Sequence, residues 1–598
     1  MIPSDTVFAS AADAARFAAV PPSGRLPARD LPHLFALAAR RRPRALAIRH
    51  LPRGLLGDAP EDWTFERLHE AVLRVAANLA AAGIGAGDTV AALLPNGPQT
   101  VAVVLGAQAV GVVAPINLYL EAGEIATLLD AMAARVLVAD GEVIEAKLEA
   151  ILAACQSPPR LLRRADLLAP PPAPCPLRER GAEQVALFHT GGTTGLPKLV
   201  PLTGDNFAVC ALFSSYGYGY AESDRVYAAM PMFHVGGLLA SALFPLVNGA
   251  SIVIAGELGY RGPGTVADTW ALAEREQATV LIAPPTVMGQ LAQSMPSKAR
   301  VPALRLLVNG AAALPVSIGN ALVDRLRVPL TEPWGLTEAC LAVTSMPLHG
   351  PRRAGSVGVA LPYCRVKAVR VDAQGRETGD CGVDEIGVLA ISGPSVFAGY
   401  RGVAPGRQPF FRDGWLDTGD LGRVDADGHV WITGRAKDLI KRGGHGIDPA
   451  VIETALYAHP AVALAAAVGR PDAYAGELPV AYVQLKPGHL ALPTELLALA
   501  TRSITERAAV PKDVIVLDAL PLTGVGKVNK TLLRLDAAHR SFEALLRELV
   551  GSGQRVGLEV APHPRYGTFV RARVPSIHVE GARRLLAQFP YQHEVLAL

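Results

Sequence analysis

At 598 residues, half of them apolar and 19% charged, the chain has enough hydrophobic surface for about two to four domains and lies far from the composition of a disordered protein. Its net charge of +3 argues against a nucleic-acid partner, and the sharpest basic cluster, Arg40-Arg41-Arg42-Pro43-Arg44, closes a helix whose negative end suits cations. Six cysteines, at 155, 175, 210, 340, 364 and 381, have neither metal-site nor disulfide-framework spacing, which fits a reducing cytoplasm.

Residues 1–19 carry Asp5, Asp13 and Arg16 among short apolar patches and lack a basic leader, which argues against a secretory signal and for a cytoplasmic location. An amphipathic helix is expected over 32–42, a strand at 45–48, and a helix over 66–82 ending at Gly83. Strands follow at 90–94 and 136–139, and the alternation of helix and strand predicts an α/β domain with a mostly parallel sheet. Two uncharged runs, 89–120 and 226–255, are long enough to cross a membrane, but Pro95, Pro98 and Pro115 cut the first and Pro231, Gly236-Gly237 and Pro245 the second. Short buried strands and helices are expected there, with no transmembrane segment. Residues 157–178, which include Pro170-Pro171-Pro172, read as a loop or linker.

The strand Val185-Ala186-Leu187-Phe188 then breaks into Thr190-Gly191-Gly192-Thr193-Thr194-Gly195-Leu196-Pro197-Lys198. Glycines let backbone N–H groups curl around an anion, threonine hydroxyls add donors or metal-ligand oxygens, and Lys198 adds charge, so this loop should bind a polyphosphate. It is not a Walker A loop, because Lys198 follows Pro197 and precedes Leu199. The bland alternative is a surface Gly/Thr hairpin.

Downstream, a strand from Arg225 runs out to Pro231 and to His234 in an apolar setting, where a structural core histidine is the default reading. Strands at 251–254, 279–282 and 305–308 follow, with a helix near 266–276. The last strand ends in Asn309-Gly310-Ala311-Ala312, small residues that leave room for a ligand at the carboxyl edge of a parallel sheet. In Trp334-Gly335-Leu336-Thr337-Glu338 an aromatic face that can stack on a base precedes a hydroxyl and a carboxylate that can hold Mg²⁺. From Gly355 the pieces become short and β-rich. Asp420 ends a Gly-Asp turn suited to sugar hydroxyls, although an Asx turn explains it nearly as well; Gly434-Arg435-Ala436-Lys437-Asp438 leads into a basic loop through Gly443-Gly444, and Pro521–Lys527 is a glycine-flanked lysine loop.

These motifs, in this order, resemble the adenylate-forming enzymes, the superfamily of acyl-CoA synthetases, luciferases and nonribosomal-peptide adenylation domains, over about residues 30–535. Phe188-His189-Thr190-Gly191-Gly192 and Pro231-Met232-Phe233-His234-Val235-Gly236-Gly237 are most similar to bacterial fatty-acyl-CoA synthetase-like members. The resemblance implies a large N-terminal domain over 1–434 with a β-rich subdomain at about 355–434. It also implies a small mobile α+β domain over 435–535, leaving 536–598 as an extension without assigned role.

The implied reaction is attack of a carboxylate on the α-phosphate of ATP with Mg²⁺, followed by capture of the acyl group by coenzyme A. Thr190, Gly191, Gly192, Thr193, Thr194, Gly195 and Lys198 would hold the pyrophosphate end, with Thr190 also able to ligate metal. Thr337 would touch the α-phosphate and Glu338 the Mg²⁺; Gly310, Ala311, Ala312 and Trp334 would bracket adenine, and Asp420 and Arg435 the ribose. Lys527 matches the catalytic lysine, Lys437 the hinge, and Gly443 and Gly444 the pantetheine channel, while His234 maps near the acid pocket. Gly446 departs from the family pattern, which has Asn there, so the thioester step loses an expected contact. A hydrophobic, fatty acid is the expected substrate, and a homodimer is compatible with the pattern. A carrier-loading ligase and a catalytically silent nucleotide-binding homologue are the alternatives.

Overall fold

A computed structural model describes residues 7–190, 198–295, 301–372, 374–443, 445–524, 526–551, 553–563 and 567–598. Its architecture is mixed α/β. One six-stranded sheet runs in the order Arg160–Leu162, Ala134–Ala139, Thr89–Leu93, Val112–Pro115, Gln184–His189, Leu199–Thr203, parallel except for the final pair. A seven-stranded sheet runs Leu330–Thr331, Leu306–Asn309, Val280–Ala283, Arg225–Ala228, Ser251–Ala255, Leu46–Leu51, Glu61–Thr64, with only the last strand antiparallel.

Local chemistry sets the helix starts. Asp30 accepts the His33 N–H ahead of Leu31–Arg41, with Pro32 in the first turn, and Thr64 accepts the Arg67 N–H ahead of Phe65–Ala81. The run 89–120 resolves into strand Thr89–Leu93, helix Pro98–Val110 and strand Val112–Pro115. Every residue of that helix from Thr100 to Ala109 is buried, which is why it is apolar on all sides. The run 226–255 resolves into a strand, a π-helical segment Gly236–Leu243, the short helix Phe244–Val247 and a strand. Among the described residues no helix is long and apolar enough to cross a membrane.

Three expectations need correction. The supposed linker 157–178 contains the strand Arg160–Leu162 and the helix Arg164–Leu168, because Leu161 and Leu162 precede the proline run and Asp166 caps the helix by accepting the Arg163 N–H. The junction placed at 535–536 falls inside one continuous helix, Lys530–Val550. Beyond it, the strands Gly557–His563 and Gly567–Val574 and the helix Val579–Leu586 are joined by an additional strand, Gln592–Ala597, which pairs parallel to Gly567–Val574.

The β-rich region forms a sheet in the order Glu377–Asp380, Arg365–Val371, Gly387–Ser392, Leu416–Val424, Val430–Arg435. The chain divides into two compact units. Of the described residues, the first holds those up to 190, 198–418 and 422–432, and the second 419–421 and those from 433 on. The first is built on a large continuous core that includes Phe35, Phe65, Val104, Phe188, Phe213, Tyr227 and Leu307. In the second, Ile440, Leu456, Ala481 and Leu496 form one cluster, Val468, Tyr482, Leu520, Leu533 and Ala537 another, and Phe542, Leu546, Val570, Ala572 and Leu586 a third.

Candidate active site

The strands on either side of the glycine and threonine stretch, Gln184–His189 and Leu199–Thr203, pair antiparallel. Gly191, Gly192, Thr193, Thr194 and Gly195 lie outside the described residues. At the neck, the Thr190 N–H donates to the Lys198 carbonyl at 3.0 Å. His189, just before the loop, accepts the Asn117 N–H on Nε2 at 3.2 Å, and burial holds its imidazole down to about 4, leaving it neutral at physiological pH.

Thr337 and Glu338 occupy a single 3₁₀ turn, Thr337–Ala339, after the short strand Trp334–Gly335. Gly335 is required there, because a Cβ would lie 1.8 Å from the Leu341 carbonyl oxygen. Glu338 is buried, yet among the described residues its carboxylate makes no ion pair. Its Oε1 accepts the Tyr400 hydroxyl at 2.5 Å, and the Lys198 ammonium lies 4.7 Å from the centre of the Tyr400 ring. Burial, and then the charge of Glu338, push the Tyr400 phenol well above its ordinary range. A buried carboxylate with one oxygen engaged fits a cation that brings its own phosphate and water ligands, as Mg²⁺ does. No cluster of three or more metal-binding side chains occurs among the described residues.

Gly310, Ala311 and Ala312 form an open loop at the end of strand Leu306–Asn309, and nothing lies within 4 Å of where a Gly310 Cβ would be. Ala311 adopts φ +76°, a conformation an L-residue holds only when its surroundings impose it. Two side chains impose it. Asn309 Nδ2 donates to the Ala312 carbonyl at 2.9 Å, and Glu332, whose carboxyl burial pushes up, accepts the Leu314 N–H at 3.2 Å. Trp334 packs into the core and is buried. His234 is half-buried after Phe233, and its Nδ1 accepts the Gly236 N–H at 3.1 Å, which leaves the proton of the neutral ring on Nε2.

The remaining candidates gather in the second unit. Arg435 Nε donates to the buried Asp420 carboxylate at 2.9 Å. Lys527 stands at the end of a tight turn in which its own N–H donates to Thr523 Oγ1 at 3.1 Å and its carbonyl accepts the Thr523 N–H at 2.7 Å. Burial first, with Arg435 and Lys437 adding to it and Asp420 opposing, lowers the Lys527 ammonium to about 8. Arg435, Lys437 and Lys527 thus act on one another beside Asp420, and the Asp438–Arg534 pair also acts on Lys437. Gly443 takes φ +57° beside the hairpin Ile440–Arg442 and His445–Ile447; Gly444 lies outside the described residues. The exposed Gly446 pairs with Lys441, and His445 reaches Glu506 at 2.7 Å.

Tyr400, Glu332 and Asn309 are absent from the residues picked out by sequence. Tyr400 lies 62 positions from Glu338 and its pairing leaves no local signal. Asn309 opens the small-residue loop and Glu332 stands two positions before Trp334, so the signal available for each was a polar residue beside a recognised motif.

A family model described as AMP-binding enzyme matches residues 35–401, and one described as AMP-binding enzyme C-terminal domain matches 451–527. Marinolic acid–CoA ligase of a Pseudoalteromonas species is 34% identical over 88% of this chain and 84% of that protein. Sulfoacetate–CoA ligase of Cupriavidus necator is 35% identical over 85% of this chain and 99% of that protein. Among solved structures, ATP-bound MatB from Rhodopseudomonas palustris aligns with a TM-score of 0.74 at 27% identity, covering 84% of this chain and 98% of that one. The chain therefore belongs to the AMP-binding enzymes, the adenylate-forming superfamily, and is an AMP-forming acyl-CoA synthetase.

Proposed function

We propose that this chain adenylates a hydrophobic carboxylic acid at the expense of ATP and passes the acyl group to coenzyme A. The observation that carries the reading is the Lys527 cluster, in which a buried lysine, Arg435 and Lys437 gather beside Asp420. Adenylation drives an anionic carboxylate onto an anionic phosphate, and cations already in place lower that barrier because they need not reorganise as charge shifts. In this reading Lys527 stabilises the α-phosphate and the attacking carboxylate, Asp420 and Arg435 orient the ribose, and the Gly310–Ala312 loop meets adenine. Thr337 donates to the α-phosphate, and Thr190 and Lys198 hold the pyrophosphate end. Glu338 would hold Mg²⁺, which supplies charge neutralisation on the phosphates when bound.

The apolar setting of His234, with Met230, Met232, Phe233, Leu238 and Leu239 all buried, favours an acid with a hydrophobic body over a small dicarboxylate. The relatives named above are ligases for chemically different acids, so pocket side chains rather than the fold set the choice.

Acid-dependent exchange between pyrophosphate and ATP tests the chemistry. Lys527→Ala should lower exchange about a hundredfold or more, the scale on which loss of one preplaced charge acts. It should spare thioester formation from supplied acyl-adenylate; unchanged exchange would reject the role of that lysine. A panel of fatty, aromatic and dicarboxylic acids, scored by pyrophosphate release, identifies the substrate class. AMP release indifferent to coenzyme A, with no acyl-CoA formed, would point instead to a carrier-loading ligase.

A further inference from the structure

Tyr400 is tied to both of the groups it touches, by backbone as well as side chain. The Phe397 N–H donates to the Glu338 carbonyl at 2.8 Å, and the Arg401 N–H donates to the Leu199 carbonyl, next to Lys198, at 3.0 Å. Gln408 grips Tyr400 itself, accepting its N–H at 2.7 Å and donating to its carbonyl at 3.0 Å. Phe397 packs edge-on against the ring with centroids 4.9 Å apart. The phenol is therefore fixed in place before any ligand arrives.

We propose that Tyr400 is a positioning residue for the nucleotide site: its hydroxyl engages Glu338 Oε1 so that Oε2 is left for the cation that accompanies ATP, while its ring seats the Lys198 ammonium. This rests on the adenylating function proposed above. A purely structural tyrosine explains the arrangement less well, because a buried carboxylate without an ion pair is costly to keep, and one phenol is little compensation for it. The second oxygen is what makes the arrangement useful. Lys198, exposed at the loop neck, would otherwise sample many rotamers, and a ring under its ammonium narrows them at modest cost. The two ends of the site are thereby linked through one side chain, over sequence separations that no short motif spans.

Tyr400→Phe keeps the ring and its packing and removes only the hydroxyl. Loss of a hydrogen bond to a charged group should raise the Mg²⁺ concentration needed for half-maximal exchange by about tenfold or more, with a smaller change in the KM for the acid. A readout independent of turnover is the Mg²⁺ dependence of the thermal shift produced by α,β-methylene ATP, which should move to higher Mg²⁺ by a similar factor. Because Tyr400 acts through Glu338, the double variant with Glu338→Gln should bind Mg²⁺ with the analogue no more weakly than Glu338→Gln alone. Additive effects, or Tyr400→Phe indistinguishable from wild type in the thermal-shift series, would overturn the inference. Wild-type protein without acid-dependent exchange would overturn the functional reading instead, and the thermal-shift series would still decide the role of Tyr400.

Discussion

Lys527 is the residue whose ionisation the structure constrains most usefully. Its ammonium sits well below the ordinary lysine range, at about 8, through burial and two neighbouring cations. The adenylation step needs the charged form, which in the free enzyme is present below that value and lost as pH rises through it. Measured between about pH 6 and 10, kcat/KM for acid-dependent exchange, which involves no thiol, should hold level at first and then fall roughly tenfold per unit above about 8. Lys527→Arg should abolish that descending limb, whatever its residual rate, because arginine does not titrate in this range. A wild-type profile flat to the alkaline end would show that the lysine charge is not limiting. At this scale the sequence is informative where a residue's task is local. Thr337, Glu338, Asp420, Arg435 and Lys527 sit in short runs whose glycines and charges drew notice, and the roles proposed for them came from the family resemblance. Tyr400 is opaque, because its meaning lies in two partners brought to it by three separate strands and turns.

Among the elements, the helix Lys530–Val550 carries the most consequence. Its first half buries Leu533 and Ala537 against the sheet strands that hold Val468 and Tyr482, and Tyr482 donates to Asp536 at 2.7 Å. Its second half buries Phe542, Leu546 and Val550 against the terminal three-stranded sheet. Phe542 meets Phe589 and Tyr591 edge-on at 5.1 and 5.4 Å. Phe542→Ala should therefore destabilise the second unit by about 3–5 kcal/mol, the usual range for emptying a buried phenylalanine site. Calorimetry would register it as a lowered transition for that unit, with exchange activity at low temperature little changed; an unaltered melt would mean that the terminal sheet does not rely on this helix. Strands such as Thr89–Leu93, Ala134–Ala139, Ser251–Ala255 and Leu306–Asn309 were legible from continuous apolar runs, whereas Glu61–Thr64 and Arg160–Leu162 were not. Gln592–Ala597 was not, since Gln592, His593 and Glu594 offer little apolar signal and its pairing is to a strand reached through a helix. The helix itself was divided at 535 because family resemblance stopped there, not because any helix-breaking residue stands at that point.

For the whole molecule, the partition into two units with separate hydrophobic clusters sets what each can do alone. A fragment ending at 432 keeps the large core, the Glu338–Tyr400 pair and the Gly310–Ala312 loop, and loses Arg435, Lys437 and Lys527. It should unfold cooperatively in a thermal melt while acid-dependent exchange falls about a hundredfold or more. Exchange at the full-length rate would remove the second unit from the adenylation step. The α/β class and the β-rich region after Gly355 were readable from the order of elements. The handover between units was not, because 419–421 group with a unit that resumes only at 433, an arrangement set by tertiary packing.

The helix Lys530–Val550 starts three residues after Lys527 and is 21 residues, hence about 32 Å, long. It is a stiff handle whose near end adjoins the reactive ammonium and whose far end is clasped by the terminal sheet. A partner, surface or antibody that grips the strand Gln592–Ala597 or the helix Val579–Leu586 therefore takes hold, through this helix, of the segment that leads to Lys527.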